Sequence, residues 1–133
     1  VKKISNTSGK RKRAVARASV QSGNGKVTVN NKPIESITPK LARMKMMEPL
    51  LLIGGEASKY NITIRVNGGG IMSQADAIRL AISRGLVDFT KDKKLEKTFL
   101  EYDRQLLVAD IRVKETCKPN DSKARSKRQK SYR

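Results

Sequence analysis

The sequence predicts a two-layer α/β (α+β) domain: a small mixed sheet of four strands with helices covering one face. Three observations predict it. Apolar and polar residues alternate through residues 60–66, the period of a half-buried strand. Directly after them Ile71, Ala75, Ile78, Ile82 and Leu86 recur at helical spacing. The remaining segments complete an order of two strands, helix, strand, helix, helix, strand, which a single layer of helices on a small sheet accommodates.

Taken in chain order, residues 15–20 set Val15, Arg17 and Ser19 against Ala14, Ala16, Ala18 and Val20, so a strand is expected there. Gly23, Asn24 and Gly25 supply the backbone of a tight turn, and residues 26–29 have strand composition, which together predicts a β-hairpin. Asn30, Asn31, Lys32 and Pro33 close the second strand. Thr38 before Pro39 reads as an N-cap with proline at the first helical position, opening a helix over 39–48. Its Met44, Met46 and Met47 are read as gap-filling core. In the 60–66 strand Tyr60, Ile62, Ile64 and Val66 share one face, and Asn61, Thr63 and Arg65 the other. Gly68, Gly69 and Gly70 end it, and a helix over 72–87 packs its apolar stripe on the sheet, leaving Arg79 and Arg84 free for solvent or phosphate. A more charged helix is expected over 94–102 and a last strand-like segment over 106–113. Beyond Lys114 nothing indicates packing.

At 133 residues the chain suits one domain with one modest core. Its charge is gathered at the ends. Residues 1–34 hold nine Lys or Arg and residues 122–133 hold six, neither with a carboxylate, so together they carry +15 of the net +18. Residues 35–121 hold 15 basic and 12 acidic side chains, an ordinary mixed surface. Like-charged arms repel themselves and bury no core, so they are expected to be largely disordered until a polyanion orders them. The division that follows is a globular α/β domain over 1–117, with its basic N-terminal segment, and an extended basic tail over 118–133; which polyanion they meet, charge alone leaves open. At about 3.3 Å per residue, twelve tail residues reach roughly 40 Å.

Composition also excludes. The chain has no histidine, which removes the commonest general base and the Ser-His-Asp and Cys-His arrangements. Its single cysteine, Cys117, forms neither an intramolecular disulfide nor a zinc cluster. Glu96, Glu101, Asp103 and Asp110 are accounted for by ion pairs with Lys93, Lys94, Lys97 and Arg104, so no enzyme, metal or cofactor is expected. The five aromatics, Tyr60, Phe89, Phe99, Tyr102 and Tyr132, are too scattered for a platform that stacks unpaired bases. No apolar run approaches the roughly 20 residues of a membrane span. Lys2 and Lys3 are not followed by the apolar stretch of a secretory signal, so a cytoplasmic location and no membrane partner are expected.

Three features remain for function. Gly68, Gly69 and Gly70 have the geometry that brings backbone N–H groups to a phosphate at a helix start, yet Ile71 and Met72 stand where a phosphate loop has its lysine and hydroxyl. A tight strand-to-helix turn is the plainer reading, and RNA phosphate contact is compatible with it. Lys10, Arg11, Lys12 and Arg13 lead into a strand that carries Arg17, which favours a binding surface over a solvated run. Lys123, Arg125, Lys127, Arg128, Lys130 and Arg133 alternate with small or polar residues, suiting an arm that threads folded RNA or one of unspecific nucleic-acid affinity.

Together the segments resemble the family of the ninth universal protein of the small ribosomal subunit. The resemblance rests on residues 9–17 (Gly-Lys-Arg-Lys-Arg-Ala-Val-Ala-Arg), on 23–35 with its Gly-x-Gly turn and Val-Asn-x-Lys-Pro-Ile-Glu, and on Asn67-Gly68-Gly69-Gly70. It continues through Ser73-Gln74-Ala75-Asp76-Ala77-Ile78-Arg79 and Asp110-x-Arg112-x-Lys114-Glu115 to Lys123-Ala124-Arg125. The bacterial pattern has glycine at Ser73 and ends in Ser-Lys-Arg; the ending Ser131-Tyr132-Arg133 is similar to the archaeal and eukaryotic cytosolic branch. The resemblance implies a structural protein of the subunit head, a two-layer sandwich with a left-handed β-α-β crossover, and neighbouring head proteins as partners. It implies rRNA contact through Lys10, Arg11, Lys12, Arg13, Arg17, Arg79, Lys123 and Arg125. It further implies contact of Lys127, Arg128, Lys130, Tyr132 and Arg133 with the anticodon stem-loop of the P-site tRNA. Two other classes stand beside it: a free chromatin-like nucleic-acid binder using the same arms, and a small phosphotransfer enzyme, since some sugar and mevalonate kinases share the implied fold.

Overall fold

A computed structural model describes residues 3–132. Among them, five strands form one mixed sheet: β1 (Ile4–Arg11), β2 (Ala14–Ser22), β3 (Val27–Val29), β4 (Lys32–Pro33) and β5 (Tyr60–Asn67), in the order β1-β2-β5-β3-β4. The helices are α1 (Lys40–Ile53), α2 (Ile71–Thr90) and α3 (Lys93–Tyr102). Only β3 and β5 run parallel, and α1 lies in the crossover between them.

The α+β class agrees with expectation, but the strand set differs from the four expected. Residues 4–11, read as part of a disordered arm, are an edge strand paired with β2 from Ile4↔Gln21 to Arg11↔Ala14. Its inward residues Ser5, Thr7 and Gly9 are small or polar, so it shows no apolar alternation. They dock by hydrogen bonds: Thr7 Oγ1 donates to the carbonyl of Ala81 at 3.0 Å, and the Ser5 hydroxyl donates to Asp88. Conversely, residues 106–113 form no strand. Leu106 closes a 3₁₀ turn and is buried, whereas Ile111 and Val113 are 87% and 63% exposed.

The expected hairpin of β2 with β3 is also overturned, because β5 lies between them. Asn61 explains this. Its side-chain oxygen accepts from the backbone N–H groups of Asn24 (2.9 Å) and Lys26 (3.0 Å), so the glycine turn wraps around the start of β5. The two-residue hairpin is instead β3–β4, with Asn30 and Asn31 at φ 48° and 67°, both positive as a type I′ turn requires.

Helix α1 starts one residue later than read: Pro39, not Thr38, is the N-cap, and no side chain caps it. It continues past Pro49 to Ile53, five residues beyond the expected end, because Pro49 and Met46 are buried against the core and packing offsets the lost backbone bond. Of the methionines, Met46 is core, Met47 half-buried and Met44 exposed. Helices α2 and α3 extend slightly beyond the ranges read for them.

The core lies between the sheet and the helices: Ala16, Ala18 and Val20 of β2 face Val66, Ile64 and Ile62 of β5 and are roofed by Ala77, Ile78, Ala81 and Ile82 of α2. Small residues let α2 approach closely. A Cβ on Gly9 would stand 2.3 Å from the Ala77 carbonyl oxygen.

Arg79 is part of this interior. Rather than remaining free, its side chain is 9% exposed and lies 2.7 Å from Glu48 of α1 and 2.9 Å from Asp103 after α3. The Asp103 contact is a hydrogen bond from Nη2, while the Glu48 contact is an ion pair off the N–H axis. The apolar stripe hid this position, because an arginine long enough to bridge neighbouring helices can be buried once both carboxylates meet it. Arg84 is likewise occupied, donating to the carbonyls of Leu107 and Ser8 at 3.1 Å each.

Candidate nucleic-acid interface

Strand alternation divides the sheet into two chemistries. Ala14, Ala16, Ala18, Val20, Ile62, Ile64 and Val66 point into the core. The opposite face carries Asn6, Ser8 and Lys10 from β1, Arg17 and Ser19 from β2, and Thr63, Arg65 and Asn67 from β5, all exposed. None of the five strands contains an acidic residue.

Arg17 of β2 stands directly opposite Arg65 of β5, and among the described residues neither is in a salt bridge. Like charges directly opposite across a sheet are unfavourable unless an anion joins them. A groove of about 500 Å³ runs beside them, lined by Arg13, Val15, Arg17, Arg65, Asn67 and Gly68.

At one end of this face the β1–β2 turn presents Lys12 and Arg13, both exposed, with Lys12 in the left-handed region at φ 53°. The turn packs on the glycine run: a Cβ on Gly68 would stand 2.6 Å from the Arg13 carbonyl oxygen. Gly68 and Gly69 also have positive φ (77° and 67°), so they are required by the tight turn, as the plainer reading holds. No side chain caps the start of α2 at Gly70. A second groove, about 660 Å³, lies here, between Lys12, Arg13, Gly69, Gly70 and Ser73 on one wall and residues 113–117 on the other.

The structure thus gathers Lys10, Lys12, Arg13 and Arg17 on one surface and adds Arg65, which the sequence reading left out. Strand alternation placed Arg65 outward, but its partnership with Arg17 depends on β2 pairing with β5. Arg11 is not on this face. It belongs to the helix side of β1, where its guanidinium lies 3.5 Å from Asp110 and donates to the Arg112 carbonyl at 2.9 Å.

Acids near the basic surface are already paired. Arg112 binds Asp110 with both its guanidinium and its own N–H, and with Arg11 nearby it holds the carboxyl well below the usual carboxylate range. The same pair raises the Arg112 guanidinium. Arg125 pairs with Glu115 at 2.9 Å and Arg128 donates to the Asn120 carbonyl, both at the surface. Lys123, Lys127 and Lys130 are exposed, and Tyr132 is 89% exposed. Arg133 lies outside the described residues. Among the described residues no group of His, Cys, Asp and Glu is arranged to hold a metal, and no helix is long and apolar enough to cross a membrane.

Residues 9–133 match the family model described as ribosomal protein S9/S16. The chain belongs to the ribosomal protein S9/S16 family. Among its relatives is the small ribosomal subunit protein uS9 of Methanothrix thermoacetophila, 49% identical over 98% of this chain and 99% of the relative. The uS9 proteins of Methanococcus maripaludis strains C7 and C5 are each 48% identical, again over 98% of this chain and 99% of theirs. The S9/S16 family is one of ribosomal structural proteins and not of enzymes, which removes the phosphotransfer reading. These relatives are archaeal, in keeping with the branch that the ending Ser131-Tyr132-Arg133 resembles.

Proposed function

We propose that this chain is a structural constituent of the small ribosomal subunit, anchored on rRNA of the subunit head by its globular part and reaching the P-site tRNA anticodon stem-loop with its tail, 118–133. The observation that carries the rRNA reading is the opposed pair Arg17 and Arg65 on a sheet face without a carboxylate. Such a face costs electrostatic energy when bare and gains it against phosphates, with release of their counterions. Lys10, Lys12, Arg13, Arg17 and Arg65 form the anchoring surface, with Lys123 and Arg125 continuing it along the base of the tail. The exposed Arg125–Glu115 pair is weak enough for a phosphate to replace it.

Lys127, Arg128, Lys130, Tyr132 and Arg133 form the tRNA end. Long cationic side chains bind the nucleic-acid backbone without demanding a base sequence, which suits a site that accepts every tRNA. Arg79 is left out of the contact set because two carboxylates already hold it.

The test is sedimentation of cell lysate on sucrose gradients at low and high salt, following the chain by mass spectrometry. Stoichiometric, salt-resistant migration with the small subunit is expected. Migration as a free protein, or loss from every particle at modest salt, would favour the chromatin-like nucleic-acid binder. For the tail, Arg133→Ala is expected to speed P-site tRNA dissociation while subunit assembly is retained, and unchanged retention counts against the tRNA role.

A further inference from the structure

Between the last buried residue, Leu106, and the tail, the chain crosses to the free edge of β1 without joining the sheet. Two arginines hold it there. Arg84 of α2 bridges the carbonyls of Ser8 on β1 and Leu107, at 3.1 Å each. Arg11 at the end of β1 spans the next stretch, with Nη1 donating to the Arg112 carbonyl at 2.9 Å and Nη2 lying 3.5 Å from Asp110 Oδ2. Asp110 in turn accepts from the Arg112 guanidinium at 2.7 Å and from its backbone N–H at 3.1 Å. The Arg11 and Asp110 side chains are only 17% and 11% exposed, in a segment whose flanking residues Ile111 and Val113 are open to solvent.

We propose that Arg11 and Asp110 form a clasp that fixes the root of the basic tail on the β1 edge, making Arg11 a positioning residue for the tail rather than an RNA contact. A fixed root sets where the arm starts and which way it leaves, and the effective concentration of a tethered binding segment depends on that starting point. Asp110 is the informative partner, because it meets both Arg11 and Arg112 and its replacement frees Arg11 without altering any basic side chain. The effect on tRNA rests on the tail role proposed above, whereas the clasp itself does not.

The experiment compares the full chain with Asp110→Asn and Asp110→Lys, which add one and two units of positive charge and lie beyond the core. In the free protein the clasp is read by hydrogen exchange over residues 107–117 in both variants and, for Asp110→Asn, which adds no trypsin site, by tryptic cleavage after Arg112 and Lys114. Both variants are expected to open this segment about tenfold more readily, with the melting of the core unchanged. Unchanged cleavage and exchange would overturn the clasp.

Small subunits reconstituted with each variant then give the rate of P-site tRNA dissociation. If Arg11 works through the clasp, both variants speed dissociation despite their extra charge, and Arg11→Ala behaves as they do. If Arg11 is itself an RNA contact, freeing it from Asp110 tightens RNA association instead, and that opposite sign overturns the positioning role. An opened segment with unaltered tRNA retention overturns the positioning role if Arg133→Ala still speeds dissociation, and sinks the tail's tRNA role if Arg133→Ala changes nothing either, so the two failures are distinguishable.

Discussion

Arg17 and Arg65 face each other across β2 and β5 on the uncovered side of the sheet, two like charges in direct register. The pair is a stability cost in the free protein and an asset against phosphate. Arg65→Ala is expected to stabilise the free chain by about 0.5 kcal/mol, the scale of a cross-strand pair. The same change should weaken binding to an rRNA fragment and lower the salt dependence of that binding by about one phosphate contact. Melting curves and salt-titrated binding check the two halves, and a loss of stability together with unchanged binding would contradict the assignment.

Close approach of α2 to the sheet depends on Gly9, whose Cβ would stand 2.3 Å from the Ala77 carbonyl oxygen and 2.8 Å from the Ala81 nitrogen. Both obstacles are backbone, so the helix must move as a body. Gly9→Ala is expected to cost about 3 kcal/mol, and thermal unfolding should show a loss of roughly 10 °C. Gly55, with nothing within 4 Å of its added Cβ, is the control and should change stability by less than about 0.5 kcal/mol on conversion to alanine.

The asparagines of the β3–β4 turn divide backbone geometry from hydrogen bonding. Asn30 Oδ1 accepts from the Val66 N–H at 3.0 Å and its Nδ2 donates to the Val66 carbonyl at 3.2 Å, so the side chain stands in for a strand residue beside β5. Asn30→Ala is expected to cost about 2 kcal/mol by leaving both groups of Val66 without this partner. Asn31 has no such bond and only a positive φ of 67°, so Asn31→Gly should stabilise by up to about 1 kcal/mol. Chemical denaturation of the two variants should move the midpoint in opposite directions.

What was legible in the sequence was whatever shows as period. The alternation of residues 60–66 and the stripe from Ile71 to Leu86 gave β5 and α2, and the Arg17 face was read correctly from Ala14, Ala16, Ala18 and Val20. Strand β1 was not legible because it packs through Ser5, Thr7 and Gly9, which contribute hydrogen bonds and close approach in place of apolar area. The β2–β3 hairpin failed because Asn61, 37 residues beyond Asn24, holds the glycine turn from a distance that no local pattern reports. Arg65 and Arg79 show the same limit: the pairing of β2 with β5 set the outward Arg65 opposite Arg17, and two remote carboxylates drew Arg79 inside.

Arg79 ties together α1, α2 and the end of α3 through Glu48 and Asp103, and its own side chain is buried. Breaking a fully buried pair costs about 3–5 kcal/mol, but these carboxylates are 30% and 37% exposed and so only partly desolvated, and Arg79→Ala is therefore expected to cost about 2 kcal/mol. Burial works against ionised Asp103, yet the Gln105 N–H and the Arg79 guanidinium outweigh it and hold the carboxyl below its ordinary value. A carboxyl depressed in the folded state stabilises the protein above its unfolded pKa, about 3.9, and that contribution fades as pH falls through the folded value. Wild type should therefore exceed Asp103→Asn in stability at neutral pH by a gap that narrows below about pH 4. Denaturation series from pH 7 down to the acid limit measure it, and a gap that stays constant would mean that Asp103 acts through packing and neutral hydrogen bonds instead of through its charge.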